Sequence, residues 1–376
     1  MNSKKPEYLK LYEELRGEIV GGVWRCGERL PSRRQTALDR HVSAVTVEHS
    51  YEMLCQEGYV EARPRSGFFV SYRDTDGFAS AEPVEHVRHV QQKPEEESAF
   101  PFSVLARVMR RVLLDYGEAI LNKSPNRGCV ELRGAISRYL ARNRGLHAEP
   151  DQIVIGSGSE YLYGMVVEML GSDRRYGIES PSYEKIEQVY QAKGVTCELL
   201  PLGHDGIRSS ALAKTTASVL HITPFRSFPS GVTASASKRR EYIRWAERGD
   251  RYIVEDDFES EFSLLRKPEE TVFSLSGQRR VIYLNTFTRT VSPSIRVSYM
   301  VLPPDLVERF EARVGFYSCT VPAFEQYVLA QLIDGGDFER HINRIRRQKR
   351  RQAKGREDQT KGGEDRPPCQ NDPGML

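Results

Sequence analysis

Hydroxyl and guanidinium side chains lie between two apolar segments of the sequence, residues 281–284 and 297–303. The side chains concerned are Thr286, Thr288, Arg289, Thr290, Ser292 and Arg296. Serine and threonine hydroxyls and the arginine guanidinium all donate hydrogen bonds to phosphate. Two buried strands that meet at such a turn therefore predict an anion-binding pocket. A polar turn between two core strands, without a ligand, would give the same pattern.

Two further loops carry polar groups directly after apolar segments. Gly158 and Ser159 precede a helical pattern, and the N-terminus of a helix favours phosphate through its backbone N–H groups and its dipole. Many strand-to-helix turns are glycine-rich, however, and the neighbouring Glu160 either disfavours an anion or is simply a helix N-terminal acid. Asp256 follows another apolar segment and is suited to a protonated pyridine nitrogen, although ordinary loop acids look the same.

These loops need a scaffold, and from about residue 100 onward apolar or β-branched segments alternate with helical patterns. Strands are predicted over residues 152–155, 176–179, 197–200, 219–223, 252–255, 281–284 and 297–302. Helical patterns fall between several of them, for example over residues 162–170 and 238–248. The alternation predicts an α/β fold with a mostly parallel sheet. Ligands of such sheets bind at the carboxyl ends of the strands, where the polar loops lie.

The bulk composition excludes several classes of protein. With 376 residues, of which 39% are hydrophobic, the chain is long enough for two domains with substantial cores. Six cysteines without a C-x-x-C pair argue against a zinc site or a disulfide framework and indicate a reducing compartment. No apolar signal segment and no run of membrane-spanning length is present in the sequence. We therefore expect a cytoplasmic protein with no membrane association and no metal site.

Residues 1–72 predict a winged helix-turn-helix. A first amphipathic helix is followed by a short helix that Ser32 caps, a third helix that Ser43 caps, and a hairpin over residues 59–70. The segment holds eleven Lys/Arg and ten Asp/Glu, yet its cations cluster before the third helix and at the hairpin turn. These cations are Arg25, Arg29, Arg33, Arg34, Arg40, Arg63 and Arg65. Local cations suit a DNA backbone; a solvated basic face is the alternative.

The remaining boundaries follow from composition. Residues 73–99 are polar and acidic without periodicity, which predicts a flexible linker between the small domain and a large domain over residues 100–350. Residues 340–356 hold nine Lys/Arg and no Asp/Glu, which indicates a solvated helix face or a second DNA-contacting surface. Residues 351–376 are predicted to be a disordered tail.

The small domain resembles the GntR-type winged-helix DNA-binding domain over its full length. The resemblance rests on the P-S-R-R run at residues 31–34, the V-S-A-V-T-V helix start at 42–47, and the E-G-Y and S-G-F-F-V wing. It implies that Arg34 contacts DNA, with Arg33 beside it, and that the hydroxyls of Ser43 and Thr46 begin the recognition helix. Arg63, Arg65 and Gly67 form the wing. Ala44 and Glu48 stand where many relatives carry arginine.

The large domain resembles the aminotransferase-like domain of MocR-type regulators, in which a GntR winged helix is fused to a fold-type-I pyridoxal-phosphate transferase domain. Further matches lie at residues 127–145, 179–183 and 341–346. The resemblance implies that Asp256 pairs with the pyridine nitrogen and that Tyr183 lies in the loop flanking the ring. It implies that the phosphate is held by Gly158, Ser159, Thr286, Thr288 and Arg296. Three departures stand out: Arg289 at the Schiff-base lysine position, Phe258 for a tyrosine, and Arg226 where relatives often have histidine.

The lysine departure determines the predicted function. Transamination needs an amine that can lose a proton, and arginine does not. We therefore expect a homodimeric, DNA-binding transcriptional regulator, not an enzyme, whose large domain senses noncovalently held pyridoxal phosphate or an amino-acid adduct of it. A working aminotransferase and a degenerate scaffold without sensing stay open as alternatives. Relatives continue beyond residue 350 into a small lobe that supplies an arginine for the substrate carboxylate, so we expect a truncated or frameshifted gene.

Overall fold

The computed structural model describes residues 6–73, 100–263 and 269–361, with side chains as far as residue 352. The chain divides into two compact units, Met1–Gln92 and Lys93–Leu376. The division falls within the segment predicted as a linker, of which residues 74–99 lie outside the described part. Each unit is treated by itself below.

The small unit consists of three helices and a two-stranded sheet. The elements are α1 (Glu7–Val20), α2 (Arg33–Asp39), α3 (Ala44–Gln56), β1 (Val60–Arg63) and β2 (Gly67–Val70). Ser32 and Ser43 accept hydrogen bonds from the backbone N–H groups of Gln35 and Thr46, so both predicted helix caps are confirmed. The core forms because α1 buries Leu11, Tyr12, Leu15 and Ile19 on one face. The strands pair antiparallel from Val60 opposite Val70 to Arg63 opposite Gly67, which is the predicted wing.

The large unit is an eight-stranded sheet with helices on both faces. Its strands are β3 (Ile153–Gly156), β4 (Arg175–Ser180), β5 (Thr196–Gly203), β6 (Gly206–Ile207), β7 (Val219–Ile222), β8 (Tyr252–Asp256), β9 (Val281–Thr286) and β10 (Ser298–Val301). Its helices are α4 (Phe102–Tyr116), α5 (Val130–Arg144), α6 (Ser159–Leu170), α7 (Glu184–Ala192), α8 (Ser209–Lys214), α9 (Ala236–Ala246), α10 (Val272–Leu275), α11 (Pro304–Val314), α12 (Ala323–Asp334) and α13 (Asp337–Lys361).

The strand order is β3-β10-β9-β8-β7-β4-β5-β6. The five strands from β9 through β5 pair parallel, whereas β10 runs antiparallel to both of its neighbours and β6 antiparallel to β5. The predicted mostly parallel sheet is therefore confirmed. Alternate strand residues enter different cores: Tyr283 packs with the α5 and α12 side, and Ile282 and Leu284 pack with the α6 and α11 side.

The structure differs from the sequence-based description at the chain's basic end. The backbone of residues 351–361, placed in the disordered tail, continues α13, and the predicted boundary at residue 350 falls inside this helix. Arginine, lysine, glutamine and alanine favour helix even without an apolar face, which explains the continuation. Residues 362–376 lie outside the described part. Among the residues described, none of the helices is long and apolar enough to cross a membrane.

Candidate functional site

A cavity of about 320 Å³ opens beyond the carboxyl ends of β8 and β9. Its lining comprises Ser159, Glu160, Tyr163, Tyr183, Ile186, Phe228, Asp256, Phe258, Thr286, Thr288, Arg289 and Arg296. Seven of the eight residues proposed from the sequence for a cofactor are in this lining, and the eighth, Gly158, borders it through Arg296. Parallel strands end at one edge of the sheet, so loops far apart in sequence meet there.

Asp256 ends β8 and is the buried acid of the cavity, 3% exposed. Its Oδ2 accepts a hydrogen bond from the Tyr163 hydroxyl and lies 3.7 Å from Nε2 of His221. Its Oδ1 is buried and has no hydrogen-bond partner among the described residues. A buried carboxylate oxygen without a donor is costly. Asp256 thus lines the cavity with one carboxylate oxygen that lacks a donor among the described residues.

Cation and hydroxyl groups form another side of the cavity. Gly158 adopts φ +101° before α6, and a Cβ there would lie 2.7 Å from Nη2 of Arg296, so only glycine fits without moving the guanidinium. The first turn of α6 has no side-chain cap, which leaves its backbone N–H groups available to an anion. The Thr286 hydroxyl accepts a bond from Ser298 at 2.8 Å, and the Thr288 hydroxyl donates to the Ile295 carbonyl at 3.1 Å.

Arg296 is not free in this arrangement. Its Nη2 lies 3.1 Å from Oε2 of Glu160, and the other oxygen of Glu160 lies 3.0 Å from Nζ of Lys185 on α7. Glu160, whose charge is unfavourable beside a phosphate, is thus the counter-ion of Arg296, the arginine proposed to bind the phosphate.

Arg289 lines the cavity from the turn after β9. Its Nη2 lies 2.8 Å from Oε1 of Glu259, and its guanidinium lies over the Phe258 ring at 5.3 Å from the ring centre. The protonated guanidinium has no free lone pair to attack a carbonyl carbon, so its chemistry suits an anion and not a covalent bond with an aldehyde.

The aromatic side of the cavity comes from two loops. Tyr183 precedes α7 and meets Phe228 edge to face at 6.4 Å between ring centres. Phe228 lies in the loop after β7, beside Ser227, whose hydroxyl donates to Glu179 at 2.7 Å. Burial raises the pKa of Glu179 to about 7, although the bond from Ser227 lowers it.

Sequence reasoning missed Tyr163, Ile186, His221 and Phe228. Tyr163 and Ile186 occupy buried positions of helices α6 and α7, where they are indistinguishable from core residues in the sequence. His221 lies in β7, and its Nδ1 is 2.7 Å from the Tyr190 hydroxyl. A histidine in a fully buried strand was the one available signal, because a polar ring in such a place needs partners.

Three consecutive acids at the end of β8 have three different surroundings. Glu255 accepts the backbone N–H groups of Val272 and Phe273 at 2.8 Å each, at the start of α10. Asp256 faces the cavity. Asp257 lies 2.7 Å from the guanidinium of Arg144, with both side chains almost fully buried. All three acids are buried, so none of them is an exposed loop acid.

A second candidate site lies on the small unit. Arg34 is exposed on α2, and the hydroxyls of Ser43 and Thr46 are 2.8 Å apart at the start of α3. Arg33 is paired with Glu48 of α3. Glu48, at the position where arginine was expected from the resemblance, thus neutralises a neighbouring cation. These groups are brought together at the α2–α3 corner, as expected of a helix-turn-helix.

The wing carries the remaining predicted residues. Arg65 adopts φ +62° at the hairpin turn, and Gly67 adopts φ +108°. A Cβ on Gly67 would lie 3.0 Å from Nε of Arg29, so this glycine lets the arginine pack against the strand. Arg63 lies over the Phe69 ring at 4.6 Å, and its guanidinium is 3.5 Å from Glu61.

The two units together define a winged-helix protein joined to a domain of the aminotransferase fold. Residues 7–70 match the gntR family of bacterial regulatory proteins. The crystal structure of kynurenine aminotransferase from Pyrococcus horikoshii, in complex with PMP, has a TM-score of 0.61 and 26% identity to this chain. The similarity covers 66% of this chain and 64% of that one. An aromatic aminotransferase of the same organism shares the fold with a TM-score of 0.61 at 20% identity, over 70% of this chain and 71% of its own.

Full-length relatives combine both units. The HTH-type transcriptional regulator YdeL of Bacillus subtilis is 31% identical over 355 residues, which is 91% of this chain and 76% of the relative. The probable rhizopine catabolism regulatory protein MocR of Rhizobium meliloti is 29% identical over 91% of this chain and 74% of its own length. The pyridoxine biosynthesis regulator PdxR of Corynebacterium glutamicum is 27% identical over 92% of this chain and 78% of its own length. The chain belongs to the MocR-type transcriptional regulators of the GntR family, and it is a DNA-binding regulator with an aminotransferase-like domain.

Proposed function

We propose that the large unit is the sensor of this regulator and that it holds pyridoxal phosphate noncovalently. The observation that carries the proposal is Asp256, a buried acid in the cavity lining with one unpartnered oxygen, in a cavity that Arg296 and hydroxyl groups also line. A pyridine N–H gives Asp256 its missing donor, and a phosphate suits the arginine and the first turn of α6.

The residues available for each part of the ligand are distinct. Asp256 would hold the ring nitrogen, with Tyr163 and His221 orienting the carboxylate. Gly158, Ser159, Thr286, Thr288 and Arg296 would hold the phosphate, with the threonine hydroxyls turning from their present acceptors. Tyr183 would flank the ring. When bound, pyridoxal phosphate supplies an electron-accepting ring and an aldehyde.

We propose further that the regulator is not an aminotransferase. Arg289 lines the cavity at the position assigned to the lysine. Its guanidinium stays protonated at neutral pH, so it neither forms a carbon–nitrogen double bond with the aldehyde nor transfers protons during a reaction. The fold neighbours are aminotransferases, but the relatives that span this chain are named as regulators. Binding of the cofactor without transamination is consistent with both the fold and the names of the relatives.

For the small unit, we propose that Arg33, Arg34, Ser43, Thr46, Arg63, Arg65 and Gly67 form the interface with double-stranded operator DNA. A homodimer is the arrangement we propose, because helix-turn-helix regulators read paired half-sites. Such a protein acts in the cytoplasm, where bacterial DNA is. The relative named for pyridoxine biosynthesis supports a vitamin B6 compound or an amino-acid derivative of one as the effector.

Calorimetric and spectral titration with pyridoxal phosphate tests the sensor. We expect saturable binding to the natural chain and no cofactor fixed to the protein by borohydride. Asp256→Ala should abolish binding, whereas Asp115→Asn, an exposed acid outside the lining, should not change it. Arg289→Lys should acquire a borohydride-fixed cofactor at residue 289.

Two results would contradict the proposal. A borohydride-fixed adduct on the natural chain would show that binding is covalent. An absence of binding in both the natural chain and Arg289→Lys would leave the large unit as a scaffold without a sensing role.

A further inference from the structure

Helix α3 has few side chains that can read a base through hydrogen bonds. In a helix-turn-helix, the N-terminal residues of the second helix contact base edges in the major groove. Arginine and lysine usually recognise guanine there, and asparagine and glutamine recognise adenine. Helix α3 contains no arginine, lysine or asparagine, and its one glutamine, Gln56, is its last residue. The first turns of α3 therefore lack the side chains that identify guanine and adenine.

The polar side chains at the start of α3 already have partners within the small unit. The hydroxyls of Ser43 and Thr46 are 2.8 Å apart, and the Ser43 hydroxyl also accepts the backbone N–H of Thr46 at 3.1 Å. Glu48 is paired with Arg33 of α2. The ring of His49 meets an aromatic ring of α1 edge to face, with 5.8 Å between the ring centres. A base contact by any of these groups would compete with the partner that the group has.

The exposed surface at the start of α3 is apolar. Val45 is 61% exposed, and Ala44 is exposed beside it. A single exposed valine is ordinary on a protein surface, so its exposure alone indicates nothing. Its position is informative, because Val45 is the second residue of the helix whose N-terminal end contacts base edges. Val47 is fully buried in the core of the small unit, which fixes the rotation of α3 about its axis and keeps Val45 outside that core.

An exposed valine is complementary to one feature of the major groove. The C5-methyl group of thymine is the apolar group that a base pair presents there, and apolar side chains recognise it by contact. Valine is β-branched and keeps one preferred χ1 rotamer in a helix, so little side-chain entropy is lost when its methyl groups are held against a base. Covering one methyl group in this way corresponds to a change in affinity of about fourfold.

We propose that Val45, with Ala44 beside it, is a specificity-determining contact of this regulator and recognises the C5-methyl group of a pyrimidine in each operator half-site. This inference rests on the proposed DNA interface and specifies the base that α3 reads. The methyl group belongs to thymine or to 5-methylcytosine, which carry it at the same ring position. Arg34 and the wing then supply the positive charge for the phosphates, and the start of α3 supplies selectivity.

Removal of single methyl groups from DNA tests the contact with the natural, full-length chain. The chain first selects its preferred duplex from a library of random sequences, and we expect the same thymine to recur in both half-sites. Affinity for the selected duplex is then measured by fluorescence anisotropy at one salt concentration. Deoxyuridine in place of that thymine removes the methyl group alone and should weaken binding about fourfold. The same replacement outside the half-sites should leave the affinity unchanged.

Three variants assign the methyl contact to a residue. Val45→Ser should bind the thymine and uracil duplexes equally, because the valine methyl groups are gone. The matched control is Val23→Ser, a change at a valine outside α3 that is 66% exposed, and it should keep the difference of about fourfold. Arg34→Ala should weaken binding of both duplexes to the same extent and preserve their ratio, since a phosphate contact does not depend on the base.

Cytosine and 5-methylcytosine at the same position separate the two sources of the methyl group. Tighter binding of the methylated duplex supports recognition of the methyl group on either base, whereas equal binding of these two, with thymine still preferred over uracil, supports thymine alone.

The results distinguish failure of the methyl contact from failure of the interface. Selection without a preferred base, or equal binding of thymine and uracil duplexes by the natural chain, overturns the contact. A fourfold difference that persists in Val45→Ser assigns the methyl group to another residue and also overturns it. The interface stands in these cases if Arg34→Ala still weakens binding. If neither Arg34→Ala nor Val45→Ser changes the affinity for any duplex, the interface and the contact both fail.

Discussion

Asp256 and Asp257 are consecutive and both buried, yet replacing each with asparagine should have opposite consequences. Asp257→Asn should destabilise the large unit and leave the cavity's chemistry intact. Asp256→Asn should weaken binding of pyridoxal phosphate and leave the stability nearly unchanged. The pair is a stringent comparison because the two changes have the same chemistry and differ by one position.

The magnitudes follow from the partners of each carboxylate. Asp257 lies 2.7 Å from Arg144 and accepts the Tyr283 hydroxyl at 2.8 Å, and the Arg144 side chain is 4% exposed. Removing one partner of a buried ion pair leaves an uncompensated charge, and such changes destabilise by about 3–5 kcal/mol. Among the described residues, Asp256 has no ion pair with an arginine or a lysine. The amide oxygen of asparagine still accepts the Tyr163 hydroxyl, so we expect a change of about 1 kcal/mol or less.

Tryptophan fluorescence can follow the large unit alone. The chain has two tryptophans, Trp24 in the small unit and Trp245 in α9 of the large one. In a Trp24→Phe background, urea unfolding monitored by Trp245 reports the large unit without the small one, which avoids treating two units as one transition. Calorimetry then measures pyridoxal phosphate affinity, which Asp256→Asn should lower at least about tenfold through loss of a charge-assisted bond.

Two results would refute this reasoning. Equal urea midpoints for Asp257→Asn and its parent would mean that Arg144 has other compensation, and the ion pair would not be the reason for burying the acid. Equal destabilisation by both variants would mean that Asp256 has a structural role, and its unpartnered oxygen would then be no sign of a ligand.

Three further predictions concern the small unit and another buried acid. Arg34→Ala should weaken DNA binding and reduce the slope of log affinity against log salt by about one, as measured by fluorescence anisotropy over a salt series. Glu48→Gln should strengthen binding and steepen that slope in the same assay, because Arg33 loses its intramolecular partner. In the natural chain, Glu179 should lower the free energy of unfolding by about 3 kcal/mol as the pH rises from 4.5 to about 7. Glu179→Gln should abolish this decrease, as measured by urea unfolding.

The sign for Glu179 follows from counting protons. Burial raises its pKa from 4.5 to about 7, so between these values the folded state binds a proton that the unfolded state has released. Stability therefore falls as the pH rises through this window and is constant above and below it. An unchanged pH slope in Glu179→Gln would assign the effect to other acids. Unchanged anisotropy curves for Arg34→Ala would exclude Arg34 from the DNA contact. Unchanged curves for Glu48→Gln would exclude Arg33 from it.

Strand positions and helix caps could be predicted from sequence because they depend on local patterns. All seven predicted strands of the large unit are present, shifted by at most three residues at an end. The antiparallel direction of β10 was not predictable, since four consecutive buried residues show no direction. The short strand β6, of two residues, offers too little pattern to be recognised.

The candidate site was predictable to the level of loops and no further. The sequence places Asp256 at a strand end, but it does not show that Asp256 lines the cavity while Glu255 and Asp257 pair elsewhere. That difference depends on which way each side chain points. Tyr163 reaches Asp256 across 93 residues of sequence, and no local pattern reports such a contact. The pairing of Arg33 with Glu48 is likewise a tertiary contact, so a count of cations overstated the positive charge available to DNA.

A sensor needs a difference between its empty and filled states, and in the proposed function Glu160 would supply one. In the present arrangement Glu160 bridges Arg296 and Lys185 of α7. A phosphate bound at Arg296 would compete with Glu160, which would keep Lys185 as its remaining partner. The Arg296 and Glu160 side chains are 50% and 34% exposed, so the broken pair is worth about 1 kcal/mol or less, and a doubly charged phosphate exceeds it readily. Ligand binding can only shift a conformation through such differential contacts. If the proposed sensor function holds, Glu160 is the group through which occupancy of the cavity would reach α7.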